Sequence, residues 1–286
     1  AHQLPVFDET LRHVDFVKTD EGWAAEQGEI TAHPDEWEQD YRAMVESLRD
    51  YMGKTGFKKV LLGLSGGIDS ALTAAIAVDA LGADKVRCFM LPSKFTSQDS
   101  LDDAAECAKL LGVQLDTIPI EPGVEAMHSM LHDEFNGKEP NVTEENIQSR
   151  IRGNLLMAIS NKSGWVVLNT GNKSELAVGY CTLYGDMCGA LSVLKDVYKT
   201  QAYYLAEWRN AHHASNLLGP KGRVIAQNCI TKEPTAELRE NQRDADSLPL
   251  YEEMDLILHG LIEEKMSVNE VVRKGYAREV VEKVNR

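Results

Sequence analysis

Apolar residues along the chain follow two alternating patterns, a spacing of three or four residues and short unbroken runs. The first helical spacing predicts a helix that ends at Gly53, with apolar positions Trp37, Tyr41, Met44, Leu48 and Tyr51. The unbroken runs predict buried strands at 58–64, 85–91, 114–120 and 165–170. Further helices are predicted at 71–81, 100–111, 124–135 and 143–160. Because strands that alternate with helices pair in parallel, this order predicts an α/β fold with a doubly wound, mostly parallel sheet and helices on both faces.

The two ends of the chain differ from this middle part. Residues 1–33 contain Gly, Pro and acidic residues with little periodicity, and we interpret them as an arm or the end of a preceding domain. Residues 34–286 are interpreted as one domain with a mainly helical last part, whose helices are predicted at 197–211, at 251–264 and after Ser267 and Tyr276. The chain begins with Ala1 rather than Met, and we expect it to belong to a longer gene product.

Composition narrows the class of protein. Of the 286 residues, 43% are hydrophobic and 26% are charged, as in ordinary soluble enzymes. No apolar run has the length of a membrane span, and the first residues do not resemble a signal peptide. The five cysteines form no C-x-x-C pair, which favours reduced thiols over a disulfide frame or a zinc site. We therefore expect a cytoplasmic protein that does not bind membranes.

The charge balance argues against one class of partner. The chain has 30 Lys and Arg residues against 45 Asp and Glu residues, a net charge of −15. Such a surface repels nucleic-acid phosphates, and no basic stripe with interleaved aromatic residues offsets it. We expect no nucleic-acid partner, so any anionic nucleotide must be held by a local site.

The motif most indicative of chemistry is SGGIDS at 65–70, between a predicted strand and a predicted helix. Two glycines allow a sharp turn close to a ligand, and the amides at the new helix N-terminus attract anions. Ser65 and Ser70 add hydroxyl donors, and Asp69 can hold Mg²⁺ between phosphates. The structural alternative is a simple connection in which Asp69 or Ser70 caps the helix. Two serines and an aspartate in one turn favour the phosphate site.

This motif is neither a Walker A loop nor a G-x-G-x-x-G dinucleotide fingerprint. It resembles the PP-loop, S-G-G-x-D-S, of the ATP pyrophosphatases. Those enzymes cleave ATP to AMP and pyrophosphate while they adenylate a carboxylate or carbonyl group. The resemblance implies ATP and Mg²⁺ as cofactors but does not identify the second substrate.

A second segment narrows the resemblance. It reads LNTGNKSELAVGY at 168–180, followed by YGD at 184–186, and begins where a predicted strand ends. Each residue alone fits a capped helix with solvated charges. Together the two motifs resemble NAD⁺ synthetases, specifically the glutamine-dependent branch. The similarity runs from about Tyr41 to the C-terminus and includes LPS at 91–93, KDV at 195–197 and PTAEL at 234–238.

The resemblance implies roles for particular residues of this chain. The residues implied in ATP binding are Gly63, Leu64, Ser65, Gly66, Gly67, Ile68, Asp69, Ser70, Thr170, Lys199 and Thr235. Those implied in binding deamido-NAD are Asn146, Arg150, Glu175 and Asp186. Asp69 and Glu175 are the implied metal ligands, and Glu175 serves either the metal or deamido-NAD. Asp69, Glu175 and Lys199 are the implied catalytic residues.

The implied reaction is the ATP-dependent amidation of deamido-NAD to NAD⁺ through an NAD-adenylate, with release of AMP and pyrophosphate. The nitrogen comes from ammonia, and residues 1–33 look like the end of the nitrilase-like glutaminase domain that supplies it. A homo-oligomer, most simply a homodimer, is expected, with the apolar helix 37–51 as an available contact surface. Two alternatives stay open: another amidating synthetase similar to GMP synthetase, and a catalytically silent nucleotide-binding module.

Overall fold

The computed structural model describes residues 2–285, which form seven strands and twelve α-helices. The strands are β1 (Phe16–Thr19), β2 (Gly22–Ala25), β3 (Val60–Gly63), β4 (Val86–Met90), β5 (Gln114–Thr117), β6 (Val166–Asn169) and β7 (Leu191–Ser192). The helices are α1 (Glu36–Thr55), α2 (Ile68–Leu81), α3 (Gln98–Leu111), α4 (Glu121–Met130), α5 (His132–Phe135), α6 (Val142–Ser163), α7 (Lys173–Val178), α8 (Lys199–Ala211), α9 (Gln227–Thr231), α10 (Tyr251–Ile262), α11 (Val268–Arg273) and α12 (Arg278–Val284). Among these residues no helix is both long and apolar enough to cross a bilayer.

Five strands form the central sheet in the order β5-β4-β3-β6-β7, and every neighbouring pair is parallel. The predicted doubly wound α/β fold is confirmed. The chain leaves β3 in one direction towards β4 and β5, and later returns on its other side as β6. The carboxyl ends of β3 and β6 therefore open a crevice, the place where such sheets bind ligands.

Helices cover both faces of the sheet, and its central strands are therefore buried on both sides. Val60 and Leu62 of β3 lie in a large apolar cluster with residues of α1, α2, α3 and α8. Leu61, between them, points to the opposite face and packs with Phe89 and Val167 beneath α6. Successive strand residues point to opposite faces, and both faces are apolar. The strand is therefore a continuous run of apolar residues rather than an alternation of apolar and polar ones.

The first helix ends three residues later than its spacing predicts. Gly56, at φ 77°, has the left-handed conformation that ends a helix, and its N–H donates to the Met52 carbonyl. Gly53 lies within the last turn, so its assignment as the stop was wrong. The apolar face of α1 is also not free for contact with another chain, because Tyr41 and Leu48 are fully buried in the core.

The N-terminal segment contains a hairpin that periodicity did not predict. Strands β1 and β2 pair antiparallel, but all eight of their residues are exposed. An isolated bridge joins Gln3 to Ile30. The Arg42 guanidinium connects this segment to α1, since it lies 3.4 Å from the Asp8 carboxylate and over the Phe7 ring. A strand with no buried face carries no alternation of apolar and polar residues, so its sequence gives no signal.

The helical C-terminal part has its own apolar cluster, built from α10, α11 and α12. This cluster joins the rest of the molecule through the buried Asp255 carboxylate of α10. One of its oxygens accepts from the Ser174 hydroxyl of α7 at 2.5 Å, and the other accepts from the Thr200 amide of α8 at 2.9 Å. The N-termini of α7 and α8 are thereby held side by side.

Candidate active site

The SGGIDS turn connects β3 to α2 at the crevice. The turn is closed by its own serines, since Ser70 Oγ accepts from the Ser65 amide at 3.1 Å and donates to the Gly67 carbonyl at 3.0 Å. Gly67 is the N-cap of α2 and carries no side-chain cap, so the simple-cap alternative for Asp69 or Ser70 is wrong. Asp69 lies in the first turn of α2. The first amides of α2 therefore face the crevice together with an acidic side chain.

A second helix N-terminus meets the first across the crevice. Asn172 caps α7, and its Oδ1 accepts from the Glu175 amide at 3.0 Å. The same side chain donates from Nδ2 to Asp69 Oδ1 at 3.0 Å. Because β3 and β6 are neighbours in the sheet, the residues that follow them approach each other although 103 positions separate Asp69 from Asn172. Asp69 and Glu175 thus share one site.

Lys199, the first residue of α8, completes this centre. Its Nζ lies 2.5 Å from Asp69 Oδ2 and 3.3 Å from Glu175 Oε1. The Lys199 side chain is only 4% exposed, and its backbone amide donates to Ser174 Oγ at 2.8 Å. The three residues that the resemblance implies as catalytic are therefore brought together as one ion cluster around a buried lysine.

Burial shapes the protonation of this cluster. Removal from water, reinforced by the charge of Asp69, raises the pKa of Glu175 to about 7, although Lys199 opposes the shift. Burial alone lowers the pKa of Lys199, but the charges of Asp69 and Glu175 outweigh it and hold that pKa well above its usual value. Lys199 is thus a permanent cation beside a carboxyl group that can exchange its proton near neutral pH.

Two adjoining cavities open at this end of the sheet. The polar cavity, of about 210 Å³, is lined by the ion cluster, the SGGIDS turn, Thr170 and Thr235. The apolar cavity, of about 260 Å³, is lined by Gly63 and Leu64 and by the apolar side chains Phe89, Met90, Leu91, Leu156 and Leu168. Ser65, Ser70, Thr170 and Asp186 line both. Amides and a lysine suit phosphates, whereas an apolar slot suits a planar ring.

The polar cavity has an excess of carboxylates. Its two cationic side chains are Lys199 and Lys232, and its acidic side chains are Asp69, Glu175, Asp186, Glu233, Glu237 and Asp244. Phosphates entering this cavity would meet net negative charge unless a cation came with them. Within residues 2–285 no three His, Cys, Asp or Glu side chains are grouped to hold a metal by themselves. The donor set therefore fits an ion that also takes ligands from phosphate, as Mg²⁺ does.

The YGD segment lies against α6 through unusually close backbone packing. A Cβ on Gly153 would come within 2.7 Å of the Gly185 carbonyl, so only glycine fits there. Ser149 Oγ accepts from the Asp186 amide at 3.0 Å, and Asp186 Oδ1 accepts from the Thr182 amide at 2.7 Å. This packing holds the Asp186 side chain at the border of the two cavities.

Asn146 and Arg150 lie further from the centre. Asn146 Oδ1 accepts from the Thr182 hydroxyl at 2.9 Å, and Arg150 Nε donates to the Leu183 carbonyl at 3.1 Å. Both support the segment before Asp186, but neither lines either cavity. Arg150 is exposed. Only a ligand that extends from the polar cavity over the surface of α6 would reach both side chains.

Several residues of the site were missed in the sequence. Glu237 accepts from the hydroxyls of Ser97 and Ser100 at 2.6 and 2.9 Å, which attaches the PTAEL segment to the start of α3. Lys232 binds Asp103 at 2.8 Å, and the half-buried Arg152 lines the apolar cavity. Asn172 stood inside the quoted motif, and its N-x-x-E spacing to Glu175 is a capping-box signal that could have identified it. The other three depend on contacts between segments far apart in the chain.

Comparisons with known proteins agree with this geometry. Residues 40–286 match a family model described as NAD synthase. The chain is 54% identical over 284 residues to the glutamine-dependent NAD(+) synthetase of Rhodobacter capsulatus, covering 99% of this chain and 51% of the relative. It is 52% identical over 246 residues to the enzyme of the same name from Acinetobacter baylyi, covering 86% and 44%. The chain spans about half the length of these curated relatives.

Solved structures share the fold. The glutamine-dependent NAD+ synthetase from Acinetobacter baumannii, in complex with ADP, superposes with a TM-score of 0.72 at 43% identity, covering 97% of this chain and 48% of that one. The NMN synthetase from Francisella tularensis gives a TM-score of 0.69 at 25% identity, covering 88% and 92%.

Proposed function

The chain belongs to the NAD synthase family, and we propose that it uses ATP to convert deamido-NAD to NAD⁺. In this reaction the nicotinate carboxylate attacks the α-phosphorus of ATP and displaces pyrophosphate. Ammonia then attacks the carbonyl carbon of the NAD-adenylate, and AMP leaves. The protein would thus be a C–N bond-forming ligase that produces AMP.

The observation that carries the proposal is the cluster of Asp69, Glu175 and Lys199 at two helix N-termini beside the SGGIDS turn. Charge that builds up on phosphate oxygens during pyrophosphate departure is stabilised by fixed amides and a buried ammonium group. Lys199 needs little reorganisation to act, because its position is fixed by Asp69, Glu175 and Ser174.

ATP would occupy both cavities. Its phosphates fit the polar cavity, against Ser65, Gly67, Ile68, Asp69, Ser70, Thr170, Lys199 and Thr235, and its base fits the apolar cavity beside Gly63 and Leu64. Gly66 lines neither cavity. The Thr235 hydroxyl donates to the Gln242 carbonyl at 2.6 Å, so its oxygen is left to accept rather than donate. We therefore assign Thr235 to shaping the phosphate pocket rather than to direct donation.

Mg²⁺ would enter with ATP, held by Asp69, Glu175 and phosphate oxygens. Two carboxylates plus phosphates is a common donor set for this ion. When bound, Mg²⁺ would supply charge neutralisation for the phosphates. The excess of carboxylates in the polar cavity supports this assignment.

Deamido-NAD would approach from the other side of the polar cavity, along α6. Asp186 lines both cavities and would lie near the nicotinate end of deamido-NAD. Glu175 would face the ligand inside the polar cavity, and Asn146 and Arg150 would contact it further out along α6. The exposed Arg150 guanidinium is suited to a dinucleotide pyrophosphate once it exchanges its contact with the Leu183 carbonyl.

The nitrogen would come from ammonia, which a glutaminase domain would release from glutamine in the whole protein. The relatives from R. capsulatus and A. baylyi are named glutamine-dependent, and about half of each lies outside the match. We further propose a homo-oligomer and a cytoplasmic location. Five free cysteines support a reducing compartment. Since the core face of α1 is buried, a dimer contact near that helix would involve Trp37 and the half-exposed Tyr204 that stacks on it.

The decisive experiment is pyrophosphate release from ATP and Mg²⁺ with ammonium present, measured for three acceptors. Deamido-NAD is expected to support release together with formation of NAD⁺. Nicotinate mononucleotide and xanthosine monophosphate are expected to give only background rates. Turnover with either of these instead would assign a different amidating synthetase. ATP binding without pyrophosphate release under any condition would instead indicate a silent nucleotide-binding module.

A further inference from the structure

Two thiols lie directly behind the SGGIDS turn, and the mechanism does not use them. Cys107 belongs to α3 and Cys229 to α9, and their Sγ atoms are 3.6 Å apart. They are 0% and 1% exposed. The two residues are 122 positions apart in the chain, so the fold alone brings them together. We call them the thiol pair.

Each thiol is tied to a segment that forms the site. Cys229 Sγ donates to the carbonyl of Gly66 at 3.1 Å, and Cys229 also lines the polar cavity. The Ala226 amide, at the start of α9, donates to Cys107 Sγ at 3.2 Å. The thiol pair therefore links α3, α9 and the phosphate-binding turn through sulfur.

The SGGIDS turn is closely packed at Gly66, so it has little room to move when a neighbouring helix shifts. Gly66 has φ 81°, and a Cβ there would lie 2.3 Å from the carbonyl oxygen of Ser100 in α3. The backbone of the turn is thus packed directly on the helix that carries Cys107. A movement of α3 or α9 by about an ångström is transmitted to the amides that the proposed function assigns to phosphate.

We propose that the thiol pair is an oxidative modification site, at which a peroxide forms a Cys107–Cys229 disulfide that disables the nucleotide site. The sulfur of one cysteine attacks the O–O bond, which gives a sulfenic acid and releases one water. The second thiol then displaces the hydroxyl from that sulfur, and a second water leaves. Two thiols are oxidised by two electrons and one hydrogen peroxide is reduced to two waters, so the step is balanced.

The geometry explains why the bridge would act on the turn. A disulfide has a sulfur–sulfur distance of about 2.05 Å, so the two sulfurs must approach by roughly 1.5 Å. The bridge also removes the S–H group that donates to the Gly66 carbonyl. Both effects displace the turn, and a misplacement of about an ångström can reduce a reaction rate by roughly 10²-fold.

The surroundings favour Cys107 over the other cysteines as the nucleophile. The adjacent Cys229 sulfur and the hydrogen bond from the Ala226 amide lower the pKa of the Cys107 thiol in spite of its burial. Burial raises the pKa of Cys88 to about 12, and it also raises the pKa of Cys181 and Cys188. The thiolate is the reactive form of cysteine, so Cys107 is the expected nucleophile. A peroxide is small enough to enter through the polar cavity, where Cys229 forms part of the wall and the Cys107 sulfur lies 3.6 Å from the Cys229 sulfur.

The test begins with the reduced full chain, treated with hydrogen peroxide, then alkylated and mapped by mass spectrometry. We expect a Cys107–Cys229 cross-linked peptide, an ATP affinity lower by about tenfold or more in calorimetry, and recovery of both after a thiol reductant. Bound ATP is expected to slow formation of the bridge, because it occupies the proposed entry route. Formation of the bridge is independent of the proposed function, whereas its effect on ATP rests on it.

Two variants make the test specific. Cys107→Ser keeps an acceptor for the Ala226 amide, and it is expected to bind ATP like the parent but to retain that affinity after peroxide. Cys88→Ala, which removes a buried cysteine outside the pair, is expected to form the bridge as the parent does. If Cys107→Ser does not fold by circular dichroism, Cys107→Ala takes its place, and the peptide map of the parent stands in any case.

The outcomes distinguish failure of the oxidative modification site from failure of the proposed function. Peroxide treatment that modifies Cys181 or Cys188 without a Cys107–Cys229 peptide would overturn the modification site. A bridge that leaves ATP affinity unchanged would overturn its control of the nucleotide site. If the reduced protein does not bind ATP at all, the proposed function fails, while the peptide map still decides whether the thiol pair forms a bridge.

Discussion

At the scale of single residues, the site depends on one ammonium group shared by two carboxylates. Lys199 reaches Asp69 and Glu175 at once, and Asn172 holds the other oxygen of Asp69. Each of the three charged groups is buried or nearly so, which makes their interactions stronger than those of surface pairs. We therefore expect substitutions in the cluster to change both catalysis and stability. Asp69→Asn tests the effect on catalysis, and Glu175→Gln tests the effect on stability.

Asp69→Asn is expected to reduce pyrophosphate release by about 10²–10³-fold, because it removes a charge beside the proposed phosphate and metal site. The matched control is Asp99→Asn, since Asp99 also lies in the first turn of a helix, α3, but is exposed and lines neither cavity. The measurement is the initial rate with saturating ATP and deamido-NAD. Equal rates for the two variants would remove Asp69 from the catalytic cluster.

Glu175→Gln is expected to change how stability depends on pH. Because the pKa of Glu175 is raised to about 7 from an ordinary 4.5, the folded state keeps this proton while the unfolded state loses it. The stabilisation from that proton is complete below pH 4.5 and is lost as the pH rises to 7. Unfolding free energies of parent and variant are measured in urea from pH 5 to pH 8. As the pH rises, the parent should lose stability relative to Glu175→Gln. A difference that is constant over this range contradicts the shift.

At the scale of elements, the connections between strands and helices determine where chemistry takes place. The turn from β3 to α2 and the one from β6 to α7 end in helix N-termini that face each other, and Asn172 bonds one to the other. Glycine is required in the first turn by its backbone, since Gly66 has a positive φ and lies against α3. By contrast, Gly53 lies inside α1 with open space around it. The same residue type thus has opposite effects on stability in these two elements.

Gly66→Ala is expected to destabilise the protein by about 1–3 kcal/mol from backbone conformation alone, with a further cost from the overlap at Ser100. Gly53→Ala is its matched control and is expected to stabilise the protein by about 0.5–1 kcal/mol, because alanine favours a helix interior. Chemical denaturation measures both. ATP binding should fail only in Gly66→Ala, and a Gly66→Ala variant that binds ATP normally would contradict the close packing of the turn on α3.

At the scale of the whole molecule, one buried ion pair connects segments that lie far apart in the sequence. Arg209 of α8 binds Asp79 of α2 with Nε at 2.5 Å and Nη2 at 2.9 Å, and both side chains are fully buried. The Tyr41 hydroxyl of α1 donates to the same carboxylate at 2.6 Å. Arg209 also donates to the Pro220 carbonyl at 2.8 Å, which fixes the segment that leads to α9 and the thiol pair.

Arg209→Met is expected to destabilise the protein by about 3–5 kcal/mol, because Asp79 would be left as a buried charge without its partner. The control is Arg278→Met, which breaks a half-exposed pair with Glu282 on α12 and should leave the unfolding free energy almost unchanged. Limited proteolysis of Arg209→Met should cut first between α8 and α9. Similar unfolding free energies for both variants would show that the buried pair does not hold that segment.

The sequence by itself determined four of the five central strands, the long helices that alternate with them and the two motifs of the site, but not β7, α7 or α9. Continuous apolar runs and helical spacings suffice for a parallel α/β sheet, because the periods of strands and helices differ and both faces of the sheet are covered. The SGGIDS and TGNKSELAVGY segments are local, so their chemistry can be read without a structure. The hairpin β1–β2 was not predicted, because its residues are all exposed and show no alternation of apolar and polar positions.

Only the tertiary structure decided which polar side chains meet. The contact of Lys199 with Asp69 spans 130 positions, and that of Glu237 with Ser97 spans 140. The sheet order places β6 beside β3 and β7 beside β6, which brings the first pair together, while the fold of the PTAEL segment brings the second. The same holds for the thiol pair and for the outward position of Arg150. Spacing along a chain encodes periodicity within an element, but the distance between elements is set by how their apolar faces pack, and that is a property of the whole fold.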